Sequence, residues 1–219
     1  MWNWEFAWQV MPKILEGLVV TLEAVAGGMA IALILGLLWA MLRRTKVKFV
    51  SWPTWAFVEF IRSTPLLVQL FFVYYVMTDV VGRGLSPLLT GILVLGLHYS
   101  CYTAEVYRAG LDAVAKGQWN AAKALNLNGY QTYRYVILPQ AVPPILPNLG
   151  NYLIAMLKEA PLLSVITVLE VLRAAQVFGN EHYRYLEPLT IVGVLFILLS
   201  LLAGLSVEWL RKRTAAMTS

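Results

Sequence analysis

Charge is scarce in this chain: 13% of its 219 residues are Asp, Glu, Lys or Arg, about half the share of a soluble domain. With 59% of the residues hydrophobic, a chain of this length cannot hide its apolar surface in one water-facing core. Cysteine is nearly absent. The lone Cys101 excludes an internal disulfide and a cysteine-built metal cage, and its apolar surroundings make it a packed side chain rather than a redox thiol. No His-Glu-x-x-His run offers zinc ligands, and no Gly-x-x-x-x-Gly-Lys-Ser/Thr run offers a cradle for nucleotide phosphates. The chain is expected to have no catalytic residues, no metal and no bound cofactor. It is not expected to be an enzyme.

What is present is a series of apolar runs near twenty residues long, the length that crosses about 30 Å of hydrocarbon. The runs predict an all-α membrane protein with five spans: about Leu18–Leu42, Phe57–Val81, Pro87–Tyr107, Leu149–Leu172 and Pro188–Leu210. They form a single transmembrane domain over residues 1–219. Gly27, Gly28 and Gly36 offer close packing in the first span. No basic residue precedes Lys13, so the first run is expected to stay as a span rather than act as a removable signal. Basic residues follow spans one, three and five (Arg43, Arg44, Lys46 and Lys48; Arg108, Lys116, Lys123 and Arg134; Arg211, Lys212 and Arg213), leaving Lys13, Arg83, Arg173 and Arg184 opposite. The positive-inside rule then puts the N-terminus outside and the C-terminus in the cytoplasm.

Between spans three and four the chain turns polar. Gln118–Leu125 favours helix, Asn126 tolerates the left-handed conformation that ends one, and Asn128–Gln131 has the spacing of a capping signal. The second helix is expected to stop before Pro139. Trp119, Leu125, Leu127, Tyr130 and Tyr133 are apolar groups placed where water would be, the composition of a contact core. Tethering between two spans argues against a DNA-binding helix-turn-helix. A docking surface for a cytoplasmic partner fits better than a plain linker.

In this segment Asn120-Ala-Ala, the turn residue Asn126 and Val136-Ile-Leu-Pro139 resemble the "EAA" loop of permease subunits in bacterial ABC importers. Asn120 stands where that family usually has glutamate, and Asn126 where it has glycine. The resemblance covers about residues 15–210, with the loop at about 108–146. Glu59-Phe-Ile-Arg-Ser-Thr-Pro-Leu-Leu-Val-Gln-Leu70 is similar to the polar amino-acid branch, as are Tyr102-Thr-Ala-Glu-Val-Tyr-Arg-Ala-Gly110 and Ala155-Met-Leu-Lys-Glu-Ala-Pro-Leu-Leu-Ser-Val-Ile166. Gly96–Tyr107 and Asn151–Pro161 look most similar to ectoine/hydroxyectoine permease subunits. The resemblance implies a multi-pass protein of the bacterial inner membrane. Its partners would be a homologous or identical permease chain, two cytoplasmic ATPase subunits that use the ATP, and an extracytoplasmic substrate-binding protein. It also implies coupling through Gly117, Asn120, Ala121, Ala122, Leu125, Asn126, Leu138 and Pro139, and a small polar or zwitterionic solute, ectoine-type or a polar amino acid. No nucleic acid is implied.

Charged groups inside spans need a reason. Lys158, Glu159 and Pro161 fall together in span four, where Pro161 should break the helix. They are read either as substrate path and gate or as polar packing between subunits. Gln69 faces the same path or makes an interhelical hydrogen bond. Glu105 and Arg108 are spaced for a surface pair, His98 is a hydrogen-bonded packing residue, and Glu59 and Arg62 are expected to reach interfacial water. Two other classes compete: an ion-coupled secondary transporter, which usually carries an internal repeat, and a membrane-anchored sensor using the loop to dock a signalling protein.

Overall fold

The computed structural model describes residues 1–77, 80 and 84–215. Every regular element among them is helical. Four stretches are long and apolar enough to cross a membrane: Trp4–Arg44, Pro87–Asp112, Gly129–Ile166 and Leu186–Thr214. A fifth forms if α2 (Lys48–Arg62) is joined to α3 (Leu66–Phe71) and its π-wound continuation Phe72–Val76; these two pieces meet at a bend of 101°. The expected end of that span at Val81, and Arg83, lie outside the described residues.

Helix α1 (Trp4–Arg44) begins well before the expected Leu18. Asn3 caps it by accepting from the backbone N–H groups of Glu5 and Phe6. Its 41 residues measure about 61 Å at 1.5 Å per residue, twice the hydrocarbon thickness. Hydropathy marks only the lipid-buried part. The remainder is helical because Val10 and Ile14 pack against Val171, Ala175 and Val192.

The largest contact runs between α1 and α4 (Pro87–Asp112). Glycines let their backbones approach closely. A Cβ on Gly36 would lie 2.0 Å from Thr103 Oγ1, and one on Gly96 would lie 2.6 Å from Ile31 Cβ. Thr103 uses that proximity to donate to the carbonyl of Ala32 at 2.8 Å, and Trp39 donates across to Ser100 Oγ at 3.0 Å.

The polar segment folds as α5 (Lys116–Ala124) and the short α6 (Gly129–Gln131). Two expectations fail after it. The helix does not stop before Pro139: π-wound Thr132–Ile137 leads straight into α7 (Leu138–Glu159). Pro139 sits in the first turn of α7, where a missing N–H costs little. Nor does span four run from Leu149 to Leu172. The α-helix ends at Glu159, Ala160–Ile166 winds as a 3₁₀ helix, Thr167 turns with φ 66°, and a separate α8 (Val171–Glu181) begins. Pro161 withholds the N–H that Leu157 would have accepted, so the winding changes there. A last long helix, α9 (Leu186–Ala215), lies against α7 and α8.

The two ends of the bundle differ. At one, Arg43 and Arg108 pair with Glu105, and Arg44 and Arg108 pair with Asp112. At the other, Glu187 accepts from the N–H of Asn3 and pairs with Arg184.

Candidate functional site

The polar segment builds a shaped projection. Leu125 closes α5 by donating to Ala121, and Asn126 takes φ 51°, a conformation asparagine tolerates better than most side chains. Asn128 and Gln131 then form a reciprocal capping box at 2.9 and 3.0 Å. Ala122 is buried, while Gly117, Asn120, Ala121, Leu125, Asn126, Leu138 and Pro139 are exposed. A Cβ on Gly117 would meet nothing within 4 Å, so no close packing calls for glycine there. Trp119 stacks edge-on against Tyr133 at 5.5 Å, tying α5 to the π-wound turn. Leu125 (73% exposed), Tyr130 (73%) and Tyr135 (67%) form an uncovered apolar set on a segment otherwise polar. Large apolar groups held in the open on a capped, ordered loop are the chemistry of a protein contact.

A second site lies at the bend between α2 and α3. Pro65 lacks an N–H, so the backbone breaks at Ser63–Pro65. Gln69 bridges that break: its amide nitrogen donates to the carbonyl of Ile61 at 2.8 Å and to Thr64 Oγ1 at 2.6 Å, and its Oε1 meets His98 Nδ1 at 3.0 Å. The opening beside the break is a cavity of about 410 Å³ lined by Arg62, Thr64, His98, Tyr102, Glu159 and neighbouring residues. Its level is set by Tyr99, twelve residues into the 26 of α4, whose hydroxyl donates to Glu159 Oε2 at 2.8 Å. Tyr102 and Tyr152 lie beside it, their ring centroids 5.6 Å apart. The Arg62 guanidinium sits 5.4 Å from the Tyr102 ring centroid and 3.3 Å from Glu59, and its buried Nε has no partner. Arg62, Glu159 and the Tyr102 ring thus line one open space, with the Arg62 guanidinium also 3.8 Å from Glu105.

The predicted site residues separate here. Glu159 lines the cavity, whereas adjacent Lys158 is exposed on another face of α7. Gln69 holds the break, making the interhelical bond that was one of its two readings, and Pro161 shapes the 3₁₀ turn. Arg62, expected at interfacial water, pairs with Glu59 yet also lines the cavity. Its signal was the adjacent Ser63-Thr-Pro65 breaker. Glu105 and Arg108 pair as expected, with Arg43 added from α1.

An apolar helical bundle with an exposed helical loop and a cavity lined by Arg62 and Glu159 narrows the comparison. Residues 32–216 match the family described as "Binding-protein-dependent transport system inner membrane component". The chain belongs to this permease family. The permease is 45% identical over 199 residues to a probable amino-acid ABC transporter permease protein, y4tG, of Sinorhizobium fredii, covering 91% of this chain and 86% of that one. It is 34% identical to the arginine transport system permease protein ArtQ of Bacillus subtilis, covering 88% of each. A crystal structure of an amino acid ABC transporter with histidines superposes with a TM-score of 0.91 at 32% identity, covering 97% of this permease and 99% of that chain. The permease is thus a multi-pass inner-membrane transport component.

Proposed function

We propose that this permease is one of two such chains in an ATP-driven importer of amino acids or chemically similar zwitterions, and that the Arg62–Glu159 cavity holds the solute in transit. The observation that carries this reading is the opposed charges in one cavity at mid-depth, beside a broken helix. Broken backbone at membrane depth is tolerated where it lines a cavity, and a carboxylate facing a guanidinium matches the two ends of an amino acid. A chain of this family with an amino-acid permease relative at 45% identity supports the class.

In this reading the N-terminus is outside, and the end bearing Arg43, Arg44 and Arg108 is cytoplasmic. Residues 1–219 act as one permease domain, with no catalytic residue and no cofactor of its own. The projection from Gly117 to Pro139 docks into a separate ATPase subunit, the second permease chain completes the pathway, and an extracytoplasmic binding protein delivers the solute. Closure of the ATPase pair moves the loop, and α7, continuous with it through the π-wound turn, carries the motion to Glu159. Asn120 supplies no charge where the family usually has glutamate, so docking here rests on apolar contact.

A narrower reading follows from residues 96–107 and 151–161: the solute is ectoine or hydroxyectoine. The rings of Tyr99, Tyr102 and Tyr152 beside Glu159 suit a delocalised cation. The test is ATP-dependent uptake by the reconstituted complex, comparing ectoine, glutamate, glutamine and arginine. Uptake of an amino acid without ectoine removes the narrow reading. Uptake driven by an ion gradient without ATP removes the whole of it and favours a secondary transporter.

A further inference from the structure

Helix α2 has three faces. Val58 and Ile61 point to the core, where they pack with Cys101. Phe49, Pro53 and Phe60 fall within about 40° of one another at about 100° per residue, and all are exposed, Phe49 to 91%. Lys48, Ser51 and Trp55 share a third face about 60° wide, and Trp52 stands between that face and the phenylalanines. The helix meets the α3 limb at 101°, so it lies across the direction that limb takes. An apolar outer face, a basic start and tryptophans between the two make up an element lying at the edge of a bilayer, its rings at headgroup level.

The third face opens on a cationic recess. A cavity of about 560 Å³ is lined by Arg43, Lys48, Ser51, Trp52, Trp55 and Arg108. Its guanidiniums are held in place: Glu105 accepts from Arg43 and, at 2.8 and 3.0 Å, from Arg108. They are not neutralised there. Among the described residues Arg43, Arg44, Arg62 and Arg108 share three carboxylates, those of Glu59, Glu105 and Asp112. Lys46 and Lys48 have no ion-pair partner among the described residues. The Ser51 hydroxyl and the indole N–H groups of Trp52 and Trp55 likewise find no acceptor among them. Three cationic side chains and three uncommitted donors therefore line one opening, the chemistry that takes up a phosphate.

We propose that this recess binds the headgroup of an anionic phospholipid from the membrane leaflet on the basic side. Its phosphate sits among Arg43, Lys48 and Arg108, and its acyl chains run along the Phe49–Phe60 face. Charge complementarity and the apolar neighbour together decide for a lipid. A free phosphate would meet the same cations but leave Phe49 and Phe60 bare, whereas a lipid covers both. The two tryptophans stand where a headgroup passes into its chains, the depth that indole rings favour. Arg62 ends the same helix, so a lipid held at Lys48 anchors the limb that carries one wall of the solute cavity. The proposal goes beyond the importer reading and does not depend on which solute is carried.

The experiment titrates the purified complex of permease chains and ATPase in detergent with dioleoyl phosphatidylglycerol or dioleoyl phosphatidylcholine, and native mass spectrometry counts the lipids retained. The parent should hold its first phosphatidylglycerol about tenfold more tightly than its first phosphatidylcholine, since several cations line the recess. Lys48→Gln removes one lining charge from an exposed position. It should weaken that first phosphatidylglycerol about fivefold, the effect of one basic residue at an anionic surface, at an unchanged Tm. Lys212→Gln removes an exposed cation that lines no part of the recess and should leave the affinity as it was. Equal weakening by the two variants, or equal affinity for the two lipids, overturns the site in favour of diffuse attraction. Displacement of the lipid by millimolar inorganic phosphate assigns the recess to a free anion and overturns the lipid. Tight binding to the permease pair that disappears once the ATPase is added also overturns it, because a protein then covers the recess. Transport is not the readout, so the importer reading stands or falls separately.

Discussion

Replacing Glu159 by Gln removes one charge from the cavity and almost nothing else. The amide keeps an oxygen for the Tyr99 hydroxyl, which donates to Glu159 at 2.8 Å, so the α4–α7 contact survives. A solute ammonium about 4 Å from the carboxylate gains roughly 4 kcal/mol at an effective dielectric of about 20. Desolvation of both groups returns part of this. About 1.5–3 kcal/mol remains, the range for a hydrogen bond to a charged group. At about 1.4 kcal/mol per factor of ten, Glu159→Gln should weaken binding roughly 10- to 140-fold. The assay is equilibrium binding of the transported solute to the purified permease–ATPase complex without the binding protein, whose own affinity would otherwise dominate. Glu159→Asp, which keeps the charge on a shorter arm, should lose less. Binding by Glu159→Gln within twofold of the parent, at an unchanged melting temperature, refutes a carboxylate–cation contact and with it the role given to this cavity.

Leu125→Lys, at a side chain 73% exposed, should leave stability within about 0.5 kcal/mol yet release the ATPase on copurification; retained ATPase would show that the loop docks elsewhere. Gly36→Val forces a branched side chain onto Thr103 Oγ1, which even a Cβ would approach to 2.0 Å. It should cost about 1–3 kcal/mol, read as a lower Tm in detergent, whereas Gly193→Ala, with nothing within 4 Å, should not. Glu170 is buried where it caps α8, accepting from the N–H groups of Leu172 and Arg173. Burial outweighs those donors and pushes its carboxyl from 4.5 up to about 7. The folded protein then holds a proton that the unfolded chain releases, so stability is greatest at low pH and falls as pH rises from about 4.5 to 7. Tm should drop between pH 5 and pH 8 in the parent and stay level across that step in Glu170→Gln; an equal drop in both would assign the effect to another group.

Much of this permease is legible along the chain because its signals are local. Transfer of apolar groups into lipid adds residue by residue, so runs of hydropathy found the spans. Backbone dihedrals answer to immediate neighbours, so Asn126 and the Asn128–Gln131 box took the shapes their side chains favour. Both signals failed where another element intervened. Helix α1 extends to Trp4 because α8 and α9 cover one of its faces. Pro139 is absorbed because the π-wound turn before it places the proline in a first helical turn.

The sequence by itself determined that the chain lives in a membrane, where its helices turn polar, and how the polar loop caps and bends, since each depends on the free energy of a short stretch. Only the tertiary structure decided that Arg62 and Glu159 share one cavity, and that Lys158, next to Glu159, turns to a different face. Those outcomes depend on the 101° bend between α2 and α3 and on the rotation of α7 against α4. Packing fixes both across nearly a hundred residues of chain, beyond the reach of any local preference.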